Sequence, residues 1–274
     1  MFRMLCGWML VTLLAAPTAQ AVELTATERT WLHAAVPVLQ FAREQRLPLD
    51  VIVQPQDTPG HTPMGMAFVD GRCKLVLSMR GNPEAQATLD RMPSGLQGLL
   101  VEAIAAHELG HCWRHVSRQW GTLPDSLQDI SAYDRVSSEN AQLLREMWRT
   151  RREEGFADLV GLAWILKHHP QRYDEVHAWH VKLRGQPVVD TGPHDTRVWV
   201  QLAADKHRFT AGSSIFEQVQ ALWLAGLTGG TVDRRARAQT AVPTPTPSGA
   251  VADSTGRAGF VPQVQSRQDQ ARGR

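Results

Sequence analysis

Two histidines and a glutamate in one short stretch carry the strongest chemical signal of the chain. Residues 107–111 read His-Glu-Leu-Gly-His, so His107 and His111 are four positions apart. On a helix such side chains lie on one face, about 6 Å apart, where two imidazoles can bind one metal ion. Glu108 would lie beside them as a base that is not itself a ligand. The pattern predicts zinc ligands at His107 and His111 and a catalytic general base at Glu108.

A catalytic zinc site needs a third protein ligand and an open coordination position. The stretch Arg-Arg-Glu-Glu-Gly-Phe-Ala-Asp, which ends at Asp158, offers two candidates. Asp158 lies one helical turn after Glu154. From there Asp158 could accept a hydrogen bond from a ligand imidazole, most directly that of His107, and fix the orientation of that ring. Glu153 is the rival ligand, but Ala157 would stand at its supporting position. The sequence therefore favours Glu154 as the ligand and Asp158 as the supporting carboxylate.

A pattern as short as His-Glu-x-x-His also arises by chance on helices rich in these residues, so its context matters. Ser94-Gly95-Leu96-Gln97 is a capping-box signature that predicts a helix start shortly before the motif. The apolar positions that follow have helical spacing, which places the motif on a half-buried helix; they are Leu96, Leu99, Leu100, Ala103 and Ile104. Gly110 costs about 1 kcal/mol relative to alanine in a helix interior. That cost makes sense if something passes close to the backbone there.

The two motifs together resemble the gluzincin pattern of zinc metallopeptidases. Ala-His-Glu-Leu-Gly-His followed by Glu-Gly-Phe-Ala-Asp is most similar to the HtpX-like and CAAX-prenyl-protease family, and the similarity covers residues 65–202. Residues 67–71 and 75–77 also resemble the hairpin that precedes the zinc helix in that family. The family's histidine-proline and arginine-isoleucine elements have a counterpart only in residues 193–198, with different spacing. Residues and resemblance together predict an α+β, zincin-like fold: a small sheet whose edge strand packs on the zinc helix, and a mainly helical second half.

The loop from Asp190 to Arg197 could supply a further catalytic group. Peptide hydrolysis builds negative charge on the carbonyl oxygen, and zinc enzymes commonly add a donor that shares it. His194 and Arg197 are the candidates, with capping of the following helix as the alternative role. In the predicted mechanism, Glu108 takes a proton from the attacking water and passes it to the leaving amine.

A sheet and several helices must position these residues. A hairpin is predicted around Asp70-Gly71, and its second strand is expected at the sheet edge, where it could add an extended substrate strand. The predicted strands are Val51–Val53, Met66–Val69 and Cys73–Met79. The predicted helices are Thr25–Arg46 with a Thr25 and Glu28 capping box, Ser94 to near Gly121, Glu139–Lys167, Gln171–Arg184, Arg197–Lys206 and Ser214–Leu227.

Both ends of the chain differ in composition from residues 22–227, the predicted peptidase domain. Residues 1–21 have the pattern of a secretory signal: Arg3, an apolar run too short to span a membrane, and Ala-Gln-Ala. We therefore expect a periplasmic or secreted protein. Export would leave Cys73 and Cys112, either as a disulfide or as two free thiols. Residues 228–274 are rich in Pro, Thr, Arg and Gln and are predicted to be disordered.

The charge of the chain gives no indication of a nucleic-acid partner. Lys and Arg number 29 against 27 Asp and Glu, and the basic residues are scattered. The tail has seven Arg against three Asp and could touch an anionic envelope surface or simply be solvated. We expect a zinc metalloendopeptidase of the cell envelope that acts on unfolded or extended polypeptide. The alternatives are a non-catalytic zinc-binding envelope chaperone or assembly factor, and a structural component of an envelope complex that is recruited through the tail.

Overall fold

Helices and one three-stranded sheet make up the described part of the chain, so the expected α+β class is confirmed. The structure is a computed structural model that describes residues 23–55, 62–123, 139–186, 192 and 194–228. The predicted signal segment, most of the predicted tail and residues 56–61 lie outside these ranges. Within the described ranges, none of the helices combines the length and the apolarity that a membrane span requires.

The elements follow the predicted order, with one addition. They are α1 (Ala26–Glu44), β1 (Leu49–Pro55), β2 (Met64–Val69), β3 (Arg72–Arg80), α2 (Pro83–Arg91), α3 (Gln97–Val116), α4 (Glu139–His168), α5 (Tyr173–Arg184), α6 (Arg197–Leu202) and α7 (Ile215–Gln218). Residues 220–228 are helical again after a break at Val219, so the last predicted helix is divided in two. The capping box of α1 at Thr25 and Glu28 is present as predicted.

Helix α3 begins and ends differently from the prediction. Gly95 has a positive φ of 81°, and Leu96 is the residue before the helix but makes no side-chain cap. The Gln97 side chain, which the capping box would have used, donates instead to the Leu89 carbonyl oxygen at 2.9 Å. The predicted capping box at residues 94–97 is therefore wrong, because that amide joins α3 to the end of α2. The helix stops at Val116, short of the predicted end.

Helix α2 is the element that the sequence reasoning missed. Asn82 caps it by accepting a hydrogen bond from the Glu84 backbone N–H, and Pro83 occupies its first turn. An asparagine followed by proline is a typical helix start, because the side chain satisfies an orphan N–H and proline has none. This signal was present in the sequence.

The sheet has the strand order β1-β3-β2, with β1 parallel and β2 antiparallel to β3. The prediction that the second hairpin strand forms the edge is therefore wrong: β1 pairs with its other side, and the two edges are β1 and β2. The Ser78 N–H bonds the Pro63 carbonyl oxygen at 2.9 Å. In an antiparallel ladder, every second residue of a strand bonds its partner strand and the residues between point the other way. Met64, Met66 and Phe68 therefore direct their backbone N–H and C=O groups away from β3. The edge strand that packs against α3 is β2.

A disulfide joins Cys73 on β3 to Cys112 on α3. The sequence left open whether these cysteines are bonded or free, and in the structure they are bonded. Both cysteines are fully buried. Since Cys112 directly follows His111, the bond ties the sheet to the helix turn that carries the predicted metal ligands.

Helices α3 and α4 approach closely at two glycines. A Cβ atom at Gly110 would lie 3.1 Å from the Cα of Ala157 and 3.2 Å from the Cβ of Val160. A Cβ at Gly161 would lie only 2.8 Å from the carbonyl oxygen of Ala103. The close passage expected at Gly110 is thus that of α4, and it brings the two motifs side by side.

Candidate metal centre

Three side chains from α3 and α4 meet at one buried point. The Nε2 atoms of His107 and His111 are 3.1 Å apart. One carboxylate oxygen of Glu154 lies 3.5 Å from the His107 Nε2, and the other lies 3.4 Å from the His111 Nε2. All three residues are buried, and they form a group that could hold a metal ion. The structure therefore brings together the three residues that the sequence predicted as ligands.

The spacing of these atoms fits a tetrahedral metal site. Zinc binds imidazole nitrogen and carboxylate oxygen at about 2.0–2.1 Å, so neighbouring ligand atoms of a regular tetrahedron are about 3.3–3.4 Å apart. The three observed separations of 3.1, 3.5 and 3.4 Å lie around that value. Neither carboxylate oxygen of Glu154 has a hydrogen-bonding partner among the described residues. A buried carboxylate without donors is costly unless a cation compensates it, and a metal ion would do so.

Charges within this cluster shift the ionisation of its members. Burial lowers the pKa of His107, but its contacts with Asp158 and Glu154 outweigh burial and raise that pKa to about 10. Burial raises the pKa of Glu154, but His194, His107 and His111 together hold it well below its ordinary range. A divalent cation could take the place of the proton between these groups, since metal and proton compete for the same ligand atoms.

Glu108 is fully buried, and neither of its carboxylate oxygens has a hydrogen-bonding partner among the described residues. Burial raises its pKa, while His107 and His111 lower it. The backbone of Met66, which faces outward from β2, lies close enough to lower it slightly as well. Glu108 thus lies next to the three-residue cluster and the outer edge of β2, with the Met66 backbone as its nearest polar neighbour on the sheet.

Asp158 supports His107 as predicted, and two further residues hold it in turn. The Nδ1 of His107 is 2.9 Å from the Asp158 Oδ1, which leaves Nε2 for a metal. The Arg184 guanidinium donates to both oxygens of Asp158, at 2.8 and 2.6 Å, and the Thr196 hydroxyl donates to Oδ2. Burial raises the pKa of Asp158, but Arg184 and His107 outweigh it and hold that pKa well below its ordinary range. The imidazole is therefore anchored to a fixed carboxylate.

Sequence reasoning missed Arg184 and Thr196. Arg184 is 26 residues beyond Asp158 at the end of α5, and no local pattern connects the two. Thr196 stands immediately before α6, where a threonine ordinarily caps the helix, yet it makes no cap and bonds Asp158 instead. The buried position of Arg184, 2% exposed, could not be read from a helix that otherwise has an amphipathic pattern.

Glu153, the rival ligand, points to a different partner. Its carboxylate accepts two hydrogen bonds from the Arg114 guanidinium, at 2.9 and 2.8 Å, and one from the Gly121 backbone N–H at 2.9 Å. Arg114 also lies over the Trp223 ring, 4.3 Å from its centroid. The two adjacent glutamates thus have separate environments: Glu153 is neutralised by an arginine, and Glu154 faces the imidazoles.

The structure brings His194 to the cluster but not Arg197. The Nε2 of His194 is 3.8 Å from the nearer oxygen of Glu154, and the residue is buried. The Arg197 guanidinium instead pairs with Asp195, with Nε 2.8 Å from the carboxylate, and its side chain is 35% exposed. The arginine that approaches Glu154 is Arg184, at 4.0 Å.

Aromatic rings border the side of the cluster next to β2. Trp120 meets His111 edge to face, with ring centroids 5.5 Å apart, and contacts Phe68 on β2. His115 stacks on Phe68 with ring centroids 3.9 Å apart. The rings thus lie beside His111, whose side chain is fully buried.

Comparison of the chain with protein-family models, curated proteins and solved structures found no match. The functional assignment therefore depends on the arrangement of the side chains described above.

Replacing Asp158 by asparagine should weaken zinc binding about 10- to 100-fold, the usual effect of removing a partner that orients a ligand histidine. The amide cannot neutralise Arg184, so its charge would be left buried without compensation. Competition with a chromophoric chelator measures the zinc affinity. Thr196→Val, which removes one hydrogen bond and leaves both charges, serves as a milder control and should have a smaller effect. Equal affinities in wild type and Asp158→Asn would contradict the supporting role.

Proposed function

We propose that this chain is a zinc-dependent peptide hydrolase of the gluzincin type, exported from the cytoplasm. The observation that carries the proposal is the buried group formed by His107, His111 and Glu154, whose ligand atoms are 3.1–3.5 Å apart. Next to it lies Glu108, buried and without a hydrogen-bonding partner among the described residues. Three ligands and an adjacent free carboxylate are the components of a hydrolytic zinc site.

A divalent ion such as zinc, when bound, would supply a Lewis acid that polarises the scissile carbonyl and makes a water molecule more acidic. Glu108 would accept a proton from the attacking water and deliver it to the amide nitrogen as the carbon–nitrogen bond breaks. Burial raises the pKa of Glu108, which makes it a stronger base than an exposed carboxylate. Neither oxygen has a hydrogen-bonding partner among the described residues, so both are available for this proton transfer.

The outer edge of β2 would bind the substrate as an added strand. Met66 directs its backbone towards Glu108, and Met64 and Phe68 face the same side. A polypeptide in extended form could pair with these backbone groups whatever its side chains, which suits an enzyme for unfolded chains. The sequence reasoning assigned this role to the neighbouring strand, β3; the proposal transfers it to β2, the edge that borders the site.

His194 would serve as the donor to the developing negative charge on the carbonyl oxygen. It is buried and its Nε2 lies 3.8 Å from Glu154, so it adjoins the candidate ligands. Arg197 is not used in this role, because its guanidinium pairs with Asp195. Residues 1–21 and the paired cysteines support an exported location, since disulfides persist in oxidising compartments.

Digestion of a fluorescently labelled unfolded protein such as reduced casein tests the proposal. Cleavage should stop when a chelator removes the metal and return when an equimolar amount of zinc is added. Folded proteins without extended segments should resist cleavage. A protein that binds one zinc ion but cleaves nothing would favour the non-catalytic chaperone or assembly factor, and cleavage that is insensitive to chelators would contradict the proposed mechanism.

A further inference from the structure

A groove of about 550 Å³ lies at β1, the edge of the sheet away from the candidate metal centre. The last turn of α1 and the segment that follows it form one side, and β1 forms the other. Ala42, Leu47 and Leu49 contribute apolar surface, and Arg43 and Arg46 also line it. None of the side chains that line this groove belongs to the metal centre.

The groove exists because the helices cover β3 but not β1. Val51 and Val53 pair in register with Leu75 and Leu77, so all four side chains lie on the same face of the sheet. Leu75 and Leu77 are only 2% and 1% exposed, whereas Val51 and Val53 are both 39% exposed. The apolar side chains of this face are therefore buried on the central strand β3 but partly exposed on the edge strand β1.

The backbone of β1 also has free hydrogen-bonding capacity on this side. The Pro48 carbonyl oxygen accepts from the Cys73 N–H at 2.8 Å. In a parallel ladder the groups alternate, so Ile52 faces β3 while Val51 and Val53 direct their N–H and C=O groups outward. No strand of the described residues pairs with that outer side.

The charge at the groove is positive. Arg43 lies in the last turn of α1, and Arg46 follows the helix; both are exposed. Arg46 has a φ of 54°, a left-handed conformation in which glycine is the ordinary residue. Glycine would adopt this conformation at the helix end with less strain than arginine does. The strained residue, Arg46, is one that lines the groove.

We propose that β1 binds an extended, acidic segment of a partner polypeptide as a fourth strand of the sheet. Backbone groups of the segment would pair with Val51 and Val53. The side chains on its groove-facing side would be of two kinds, apolar ones against the valine row and carboxylates that meet Arg43 and Arg46. A second copy of this chain would bring a further β1 with its own arginines, and an anionic amphiphile would leave the strand edge unpaired. An extended acidic segment complements all three features of the groove: its apolar surface, its outward backbone groups and its positive charge. This proposal depends on neither the metal nor the hydrolase activity.

Fluorescence anisotropy with the full-length chain tests it. The probe is a labelled ten-residue peptide in which every second residue is in turn valine and glutamate, with threonine between them, so that valine and glutamate share one face of the extended chain. Its integrity is checked by mass spectrometry. It should bind about tenfold more tightly than the same peptide with lysine in place of glutamate. Arg43→Glu combined with Arg46→Glu should weaken binding of the acidic peptide about tenfold, because two attractive charge pairs become repulsive. Arg46→Gly should weaken it about threefold, while the melting temperature stays equal or rises because the left-handed strain is relieved.

Two further variants separate backbone pairing from charge. Val51→Pro removes an N–H that faces away from β3, so the sheet should stay intact while binding falls about tenfold. Val51→Thr keeps the N–H and the β-branched shape and should bind within about twofold of wild type. Binding that does not distinguish glutamate from lysine, or that survives both Val51→Pro and the double arginine reversal, would overturn the proposal. So would dimerisation that depends on Val51, or binding of a fatty acid without the peptide.

Discussion

Replacing Glu108 by glutamine should reduce peptide cleavage about 10²- to 10⁴-fold, the range typical of losing a general base. Glutamine has nearly the same shape but cannot accept a proton from the attacking water. Glu108 is not a ligand, so the variant should still bind one zinc ion. No hydrogen bond among the described residues would be lost, because neither carboxylate oxygen has a partner. The measurement is kcat/KM on a quenched fluorescent peptide, with metal content determined on the same preparation.

This variant also separates the enzyme from the non-catalytic alternatives. A neutral amide is easier to bury than a carboxylate, so the melting temperature should be unchanged or higher, and a loss of activity could not be attributed to unfolding. Activity equal to that of wild type would show that Glu108 is not the base. If wild type and variant bound zinc equally and neither cleaved any polypeptide, a metal-binding chaperone or assembly factor would be the better interpretation.

Glutamine at each of the two adjacent glutamates should give opposite results. Glu154→Gln should remove the metal, because the third ligand loses its charge and zinc then has only two imidazoles. Glu153→Gln should keep about one zinc per chain but destabilise the fold by about 3–5 kcal/mol, since Arg114 stays buried without its counter-charge. Each variant is the matched control of the other, because the same atom is replaced on neighbouring residues.

Metal analysis and urea unfolding of the metal-free proteins measure the two effects. The described structure places Glu154 at 3.4–3.5 Å from the imidazoles and Glu153 at 2.8–2.9 Å from Arg114. Loss of zinc from Glu153→Gln together with normal binding by Glu154→Gln would reverse the assignment of the third ligand. Loss from both variants would show that the fold at this end of the site depends on Glu153.

The convergence of the cluster could be predicted because its parts follow helical periodicity. His107 and His111, and likewise Glu154 and Asp158, are four residues apart, so each pair shares a helix face wherever the helix lies. The preference for Glu154 over Glu153 also came from this spacing, and it agrees with the pairing of Glu153 to Arg114. The Gly110 contact with α4 explains why both pairs face each other.

Other parts of the fold depend on contacts between distant segments, which local patterns do not encode. The hairpin at Asp70-Gly71 was clear, but which strand becomes an edge depends on where β1 pairs. Arg184 and Thr196 reach Asp158 from 26 and 38 positions further along the chain. The role of Gln97 likewise depends on α2, a helix whose start at Asn82 and Pro83 was overlooked.

The most direct test of the central claim is an anomalous difference map at the zinc absorption edge, from crystals of the zinc-loaded protein. We expect one peak per chain, at about 2.0–2.2 Å from the Nε2 atoms of His107 and His111 and from a carboxylate oxygen of Glu154. An empty cluster in zinc-loaded protein, or a peak held by other side chains, would contradict the proposed metal centre and the hydrolase that depends on it.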